Sequence, residues 1–494
     1  MNALEEELRF SIEGEVHFDE MTRQVYSIDA SIFEILPLGV VIPKNKQDLQ
    51  HIVEIAAHYQ IPITMRGAAT GITGGCIGQG LIIDVSKYLN RILKINIEEG
   101  FVICEPGVIQ DDLNQALAPF GYRLGPDTST GNRATLGGML ANNAAGARSL
   151  RYGKMSDHVQ SVELLLSSGQ KLSLSSISEE QWLEKNQQRD QEGHIYRTLW
   201  EIRQKDGEEI NKRFPPIPRR VSGYNLDEML KPLPFNPAKL IAGSEGTLGI
   251  VTEIQMHIVP KPQSTALLLF FFDDLLEAFR QVPPLLEHHP LSLELIDEQI
   301  VQLGRASPSL RNKLDWIIGN PKAILIMEIE RENPEKVEIP LKKVIKKKEN
   351  QQIGYFQLTL SDPKEIAYVW DLRKSGLGIL LSKRTYSRAI AFLEDISLPP
   401  QQLASFMERF CVYLQSKGKQ AGIYGHVGSG CMHIRPYLNL REPGELALMR
   451  QMMLDVSSLL LEYGGALSGE HGDGWIRSWL NPKMFGEQIM LAFQ

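Results

Sequence analysis

The chain has only four cysteines in 494 residues, Cys76, Cys104, Cys411 and Cys431, and no two of them form a C-x-x-C pair. That scatter suggests neither a disulfide framework nor a cysteine-only metal site, and it leaves the chain without a cysteine cluster for iron–sulfur ligation. Long apolar runs are also missing. The longest, residues 266–272, is far short of the ~20 residues a membrane-crossing helix needs. There is no basic excess: 52 Lys and Arg against 60 Asp and Glu leave a formal charge of −8, which gives no support for nucleic-acid binding. The acidic start, MNALEEELRF, lacks the basic head and apolar core of a signal peptide. A cytoplasmic protein is therefore expected, and peripheral contact with a membrane is compatible with it. Finally, there is no G-x-x-x-x-G-K-[ST] and no complete G-x-G-x-x-G after a strand, so neither a P-loop nor an ordinary Rossmann site is indicated.

What is present is a composition of 43% hydrophobic and 23% charged residues, on a chain long enough for two or more cores. Residues 64–75, TMRGAATGITGG, put four glycines, two alanines and three threonines into twelve positions. Backbone N–H groups left bare in this way can approach an anion closely, as phosphate binding requires. Apolar residues Leu49, Ile52, Val53, Ile55 and Ala56 recur at helical spacing before it. The pattern predicts strand 40–43, helix 46–59, strand 61–65, the glycine loop, strand 81–85, strand 101–105 and helix 109–118. Two further stretches share the small-residue character: 125–158, GPDTSTGNRATLGGMLANNAAGARSLRYGKMSDH, and 242–252, AGSEGTLGIVT.

Together the three stretches resemble the FAD domain of the vanillyl-alcohol oxidase / p-cresol methylhydroxylase (PCMH) superfamily, in the branch of D-lactate and D-2-hydroxyglutarate dehydrogenases. The resemblance implies an α+β fold: an N-terminal arm at 1–38, a two-lobed PCMH-type FAD-binding domain at 39–260, and an α+β cap with an antiparallel sheet at 261–494. It places Arg66, Gly67, Ala68, Ala69, Thr70, Gly71, Thr73 and Gly74 on the FAD pyrophosphate. Asp127, Ser129, Gly137, Gly138, Asn142, Gly146, Tyr152 and Gly153 would line the flavin, with Glu245, Gly249 and Ile250 near the adenine end. No His or Cys stands where covalent members link their flavin, so FAD is expected to be noncovalent. The lysine run at 342–348 reads as a solvated face and Glu287-His288-His289 as a surface helix end.

Three cap stretches carry the expected chemistry. In Trp370-Asp371-Leu372-Arg373-Lys374, Arg373 matches the family's substrate-carboxylate arginine, whose paired donors a lysine does not imitate. In Tyr424-Gly425-His426-Val427-Gly428-Ser429-Gly430-Cys431-Met432-His433, the two histidines would face opposite sides of one straight strand. A bend at Gly-Ser-Gly lets them converge on one divalent metal. In Gly469-Glu470-His471-Gly472-Asp473-Gly474, Glu470 completes a His, His, Glu ligand set and His471 is the expected general base. Either Zn²⁺ or Mn²⁺ suits those ligands. The sequence departs from the family in two places: Gly428-Ser429 stands where relatives often carry an acid, and the stretch Ala391-Phe392-Leu393-Glu394-Asp395 lacks a lysine that some relatives place beyond the arginine.

The resemblance thus implies oxidation of a small D-2-hydroxy acid, of the D-lactate or D-2-hydroxyglutarate class, to the 2-oxo acid. The alternatives are an ether-lipid synthase-like transferase and a catalytically silent flavin relay subunit. The chain looks most like members fused to a C-terminal cysteine-rich region, yet it stops at Phe493-Gln494 and lacks their closing Asn-Pro-Gly segment. It is accordingly expected to be the flavin half of a split or truncated enzyme, passing electrons to a separate iron–sulfur protein or to quinone. If FAD is held without a covalent bond, acid precipitation should leave all the yellow colour in the supernatant; flavin retained on the pelleted chain would contradict this.

Overall fold

The computed structural model describes residues 3–331, 353–382 and 385–494, so the lysine run at 342–348 lies outside the described residues. Among the described residues the strands form three sheets. The first has four strands in the order Glu15–His17, Gly39–Ile42, Leu81–Asp84, Ile63–Arg66, with the last three parallel and the first antiparallel. Helix Lys46–His58 starts where the Asn45 side chain accepts from the Gln47 and Asp48 N–H groups, satisfying donors that a helix start leaves free. Its apolar stripe, Leu49, Ile52, Val53, Ile55 and Ala56, is buried on this sheet as its spacing predicts. The N-terminal arm is built into the same unit. Leu4, Leu8, Ile12 and Val16 share the core of that helix, and residues 15–17 add an edge strand. The glycine loop leaves the carboxyl end of Ile63–Arg66.

The second sheet is antiparallel, ordered Ile92–Asn96, Phe101–Cys104, Ile250–Pro260, Val159–Leu165, Lys171–Ser175, with Tyr122–Leu124 pairing the far end of Ile250–Pro260. The third is an eight-stranded antiparallel sheet running Phe356–Leu360, Ser264–Phe272, Ala323–Arg331, Ser292–Asp297, Ala421–His426, Cys431–Leu438, Arg388–Ala389, with Ile396–Ser397 also on Cys431–Leu438. The longest apolar run of the chain is a strand of this sheet, covered on both faces. Leu267, Leu269 and Phe271 enter one core, while Ala266, Leu268, Phe270 and Phe272 enter the other. Period-two alternation between two buried layers removes any need for polar residues.

Three elements, two of them strands of this sheet, aim the site. Helix Pro363–Lys374 is capped by Asp362 with proline in its first turn, and it buries Val369, Trp370 and Leu372, carrying Arg373 inward with them. Strands Ala421–His426 and Cys431–Leu438 form a hairpin whose 3-10 turn, Val427–Ser429, ends at Gly430 with φ 77°. A Cβ at Gly430 would lie 1.8 Å from the Leu398 carbonyl oxygen, so only glycine fits. The expected bend between the two histidines is this hairpin turn.

Asp297 ties the sheet to its helices: one carboxyl oxygen accepts from Ile300 N at 3.0 Å and the other from Ile423 N at 2.7 Å. Burial outweighs these bonds and pushes its carboxyl up to about 7. A carboxyl raised above its unfolded value of about 3.9 binds its proton more tightly in the folded chain. Its contribution is therefore full below about pH 4 and is lost as pH rises towards 7. Asp297→Asn should cost about 0.5–1.5 kcal/mol for one lost acceptor and remove this slope. The check is denaturant unfolding of both proteins at several pH values. A stability difference that stays constant from pH 4 to 7 would sink the assignment.

Candidate active site

A cavity of about 570 Å³ runs from the glycine loop, past residues 127–148 and 241–251, to helix Pro363–Lys374 and the histidine hairpin. Its wall includes Arg66, Gly67, Ala68, Ala69, Thr70, Gly71, Thr73, Asp127, Ser129, Gly137, Gly138, Asn142, Gly146, Glu245 and Gly249 from the expected flavin set. Arg373, His426, His433, Glu470 and His471 face the same cavity. Four expected flavin residues are set back from it. Gly74 turns at φ 84° beside Trp475 and Phe33, and Tyr152 packs under the Arg123 guanidinium. Gly153 ends helix Ser149–Tyr152 at φ 66°, and Ile250 is buried in the core of the first sheet.

The wall fits a long, phosphate-bearing ligand. A Cβ on Gly71 would project into the open cavity, with Asn142 Nδ2 its nearest neighbour at 3.9 Å. Close backbone approach is thus kept free there. Two expected contacts have other partners. The Arg66 guanidinium reaches the carbonyls of Tyr26 and Ile28, at 3.3 and 2.9 Å, and lies over the Tyr26 ring, so it braces the loop against the arm. The Glu245 carboxylate accepts from Asp473 N at 2.6 Å and Gly474 N at 2.9 Å, clamping the C-terminal loop to the flavin wall. Burial and the Asp473 charge hold Glu245 up at about 7.

At the cap end, Glu470 Oε1 lies 2.9 Å from His426 Nε2, 3.2 Å from His433 Nε2 and 3.7 Å from His471 Nε2. An oxygen facing three ring nitrogens is satisfied either by protons on the rings or by a cation placed among them. Carboxylates stand behind the rings. His426 Nδ1 is 2.9 Å from Glu294 Oε1, while Glu394 Oε1 is 3.0 Å from His433 Nδ1 and 3.2 Å from His471 Nδ1, off the line of both ring N–H bonds. The Glu294 partner orients the His426 imidazole and leaves its Nε2 for a metal. Among the described residues, the donor atoms of Asp395, His433, Glu470 and His471 lie within 4.8 Å of one another. Asp395 is already saturated, accepting from Ser468 Oγ and from the N–H groups of Gly469, Glu470 and His471 at 2.6–3.1 Å. His426 is therefore the better-placed donor beside His433 and Glu470.

Burial alone would lower the His471 pKa, but the Glu394 and Asp395 carboxylates overrule it and raise the imidazole to about 9. Without added positive charge it is a proton donor at neutral pH. The expected base role thus requires something that offsets those carboxylates. Arg373 is buried, with its Nε 2.8 Å from Glu294 Oε2 and its Nη2 3.4 Å from His426 Nδ1. It is anchored to the cluster as well as facing the cavity.

Sequence reasoning missed Glu294, Arg219, Glu394 and Asp395. Glu394-Asp395 was noted only as the place of a missing lysine. An acidic pair inside an otherwise apolar stretch was the available signal. Arg219 follows Pro215-Pro216-Ile217-Pro218 and pairs with Glu470, while the next residue, Arg220, pairs with Asp227.

A glycine-walled cavity closed by a cap sheet that carries imidazoles to its far end is the organisation of a flavin-linked oxidase. A family model described as "FAD binding domain" matches residues 37–175, and one described as "FAD linked oxidases, C-terminal domain" matches 261–493. D-2-hydroxyglutarate dehydrogenase of Escherichia coli (strain K12) is 33% identical over 508 residues, which cover 99% of this chain and 49% of that protein. Glycolate oxidase subunit GlcD of Bacillus subtilis (strain 168) is 28% identical over 97% of this chain and 90% of its own length. The solved structure of p-cresol methylhydroxylase with substrate bound aligns at a TM-score of 0.68 and 14% identity, covering 99% of this chain and 92% of that one; this likeness carries the fold alone. The chain thus combines an FAD binding domain with the C-terminal domain of the FAD linked oxidases. It spans about half the length of the D-2-hydroxyglutarate dehydrogenases it matches. Among the described residues no helix is long and apolar enough to cross a membrane.

The saturation of Asp395 sets the scale for its removal. Asp395→Ala strips the acceptor from four donors at about 1–3 kcal/mol each, and puts alanine at φ 74°. Asparagine tolerates that backbone and keeps one acceptor oxygen. Denaturant unfolding should show a loss of more than about 4 kcal/mol for Asp395→Ala and a smaller one for Asp395→Asn. Wild-type stability in the alanine variant would refute the anchor role.

Proposed function

We propose that the chain oxidises a D-2-hydroxy acid to the 2-oxo acid. The observation that carries this reading is that His471 and the His426, His433, Glu470 cluster open onto the same cavity as the glycine wall. When bound, FAD supplies a two-electron acceptor, and a divalent cation, Zn²⁺ or Mn²⁺, held by His426, His433 and Glu470 supplies a Lewis acid. Arg373 presents its guanidinium to the substrate carboxylate from the wall. His471 Nε2 takes the hydroxyl proton once added positive charge at Glu470 offsets Glu394 and Asp395. Loss of that proton and of the C2 hydride leaves the 2-oxo acid.

FAD is held noncovalently in this reading. Cys76, the cysteine on the cavity wall, is a protonated thiol, pushed up to about 12 by burial and by Asp29, and is thus a poor nucleophile. Electrons leave the flavin to an iron–sulfur centre or to quinone; the four free cysteines of residues 1–494 are too scattered to ligate a cluster themselves.

Anaerobic addition of D-2-hydroxyglutarate, D-lactate or glycolate to the holoprotein should bleach the oxidised flavin spectrum with at least one of them, and the L-enantiomers should not. His471→Asn should slow bleaching by about 10²–10⁴-fold with flavin and cation retained, whereas Glu470→Gln should lose cation and activity together. Equal cation loss in both variants, or full activity in either, would overturn these roles.

A further inference from the structure

Glu470 has a second partner that comes from the flavin-binding half of the chain. Arg219 is 1% exposed, and its Nη1 lies 2.8 Å from Glu470 Oε2, the oxygen not turned to the histidines. The same guanidinium donates through Nη2 to the Gly146 carbonyl and through Nε to Ser149 Oγ at 2.9 Å. Gly146 is part of the cavity wall, and Ser149 Oγ lies 3.5 Å from Ser429 Oγ in the turn between the two ligand strands. Two separate segments therefore meet on one planar cation, the flavin wall and the Glu470 loop, and the histidine hairpin is joined to it through Ser149. The neighbouring backbone continues the seam. Val221 N donates to Ser468 O at 3.0 Å, and Gly223 N to Asp473 Oδ2 at 2.9 Å.

We infer that Arg219 is the positioning residue of the cation site: it holds one oxygen of Glu470 so that the other is presented to His426 and His433, and it ties that presentation to the flavin wall through Gly146 and Ser149. This inference rests on the proposed His426, His433, Glu470 site. The guanidinium's fixed fork suits the task. Engaged with Gly146 and Ser149 on one side, it holds its charge against Glu470 as an ion pair, with the Nη1–H off the line to Oε2. A lysine at 219 would bring one charge on a flexible stem, and its ammonium would not span all three partners.

The test compares wild type, Arg219→Lys, Arg219→Met and Ser149→Ala as FAD-loaded full chains, with Zn²⁺ and Mn²⁺ dissociation constants measured by equilibrium dialysis. Loss of an outer partner of a metal ligand typically weakens the metal by about 10–100-fold. Arg219→Met should fall in that range, with Arg219→Lys between it and wild type. Ser149→Ala, which keeps the charge but removes one support, should weaken binding a few-fold. The flavin absorption spectrum should be unchanged in all three, and excess cation should restore substrate-driven bleaching in Arg219→Lys, which a merely structural defect would not allow. If Arg219→Met does not fold, the other two variants decide. Wild-type affinity in the folded variants overturns the role of Arg219 while leaving the cation site intact. Failure of the wild-type chain to bind either cation overturns the site itself and the inference with it.

Discussion

The site depends first on how Asp395 holds a loop. Its fully buried carboxylate gathers the N–H groups of Gly469, Glu470 and His471 and the Ser468 hydroxyl, from a backbone at φ 74° that a non-glycine residue adopts only under constraint. A tight turn around one anion sets where the next two side chains start. Glu470 and His471 leave it as neighbours, and both reach the imidazole group rather than opposite faces. Arg477, 3.6 Å from Asp395 Oδ2 and donating to the carbonyls of Gly472 and Glu394, closes the turn from behind. The ligands could stay correct in sequence and still not meet if this anchor were absent.

The second requirement is that cap and flavin wall keep a fixed relation, since a proton acceptor on one must act on a substrate seated against the other. The contacts that enforce this are hydrogen bonds and ion pairs to named polar groups. The Glu245 carboxylate clamps Asp473 and Gly474, Trp475 N donates to Thr73 O at 2.9 Å, and Asn142 Nδ2 donates to the His471 carbonyl at 3.3 Å. Arg148 joins Asp127 on the wall to Glu328 on the cap sheet and lies over Trp370. Directional bonds of this kind fix orientation more strictly than an apolar seam of similar area, whose attraction is non-directional.

Much of this was legible because it is local. Helix Lys46–His58 follows from five apolar residues at helical spacing, and the hairpin turn from Gly-Ser-Gly between two histidines. Illegible parts are those whose partners are distant in the chain. Glu294 meets Arg373 across 79 positions, and Asp395 meets the loop across more than 70. Nothing within a window around Glu294, Arg219 or Asp395 records those pairings. Arg66 and Glu245, expected as ligand contacts, line the cavity and also have partners that no local window records. Their neighbours in sequence are loop residues, while the groups that occupy their charges, the Tyr26 and Ile28 carbonyls and the Asp473 and Gly474 amides, come from the arm and the C-terminal loop.

The cluster's charges add a final constraint. Four buried carboxylates, Glu294, Glu394, Asp395 and Glu470, are faced by Arg373, Arg435, Arg477 and Arg219 respectively. The arginines offset much of this charge, yet His471 still lies in a net negative field from Glu394, Asp395 and Glu470 that raises its imidazole to about 9. Removing one arginine would leave a buried carboxylate uncompensated, which is far costlier than losing a surface pair.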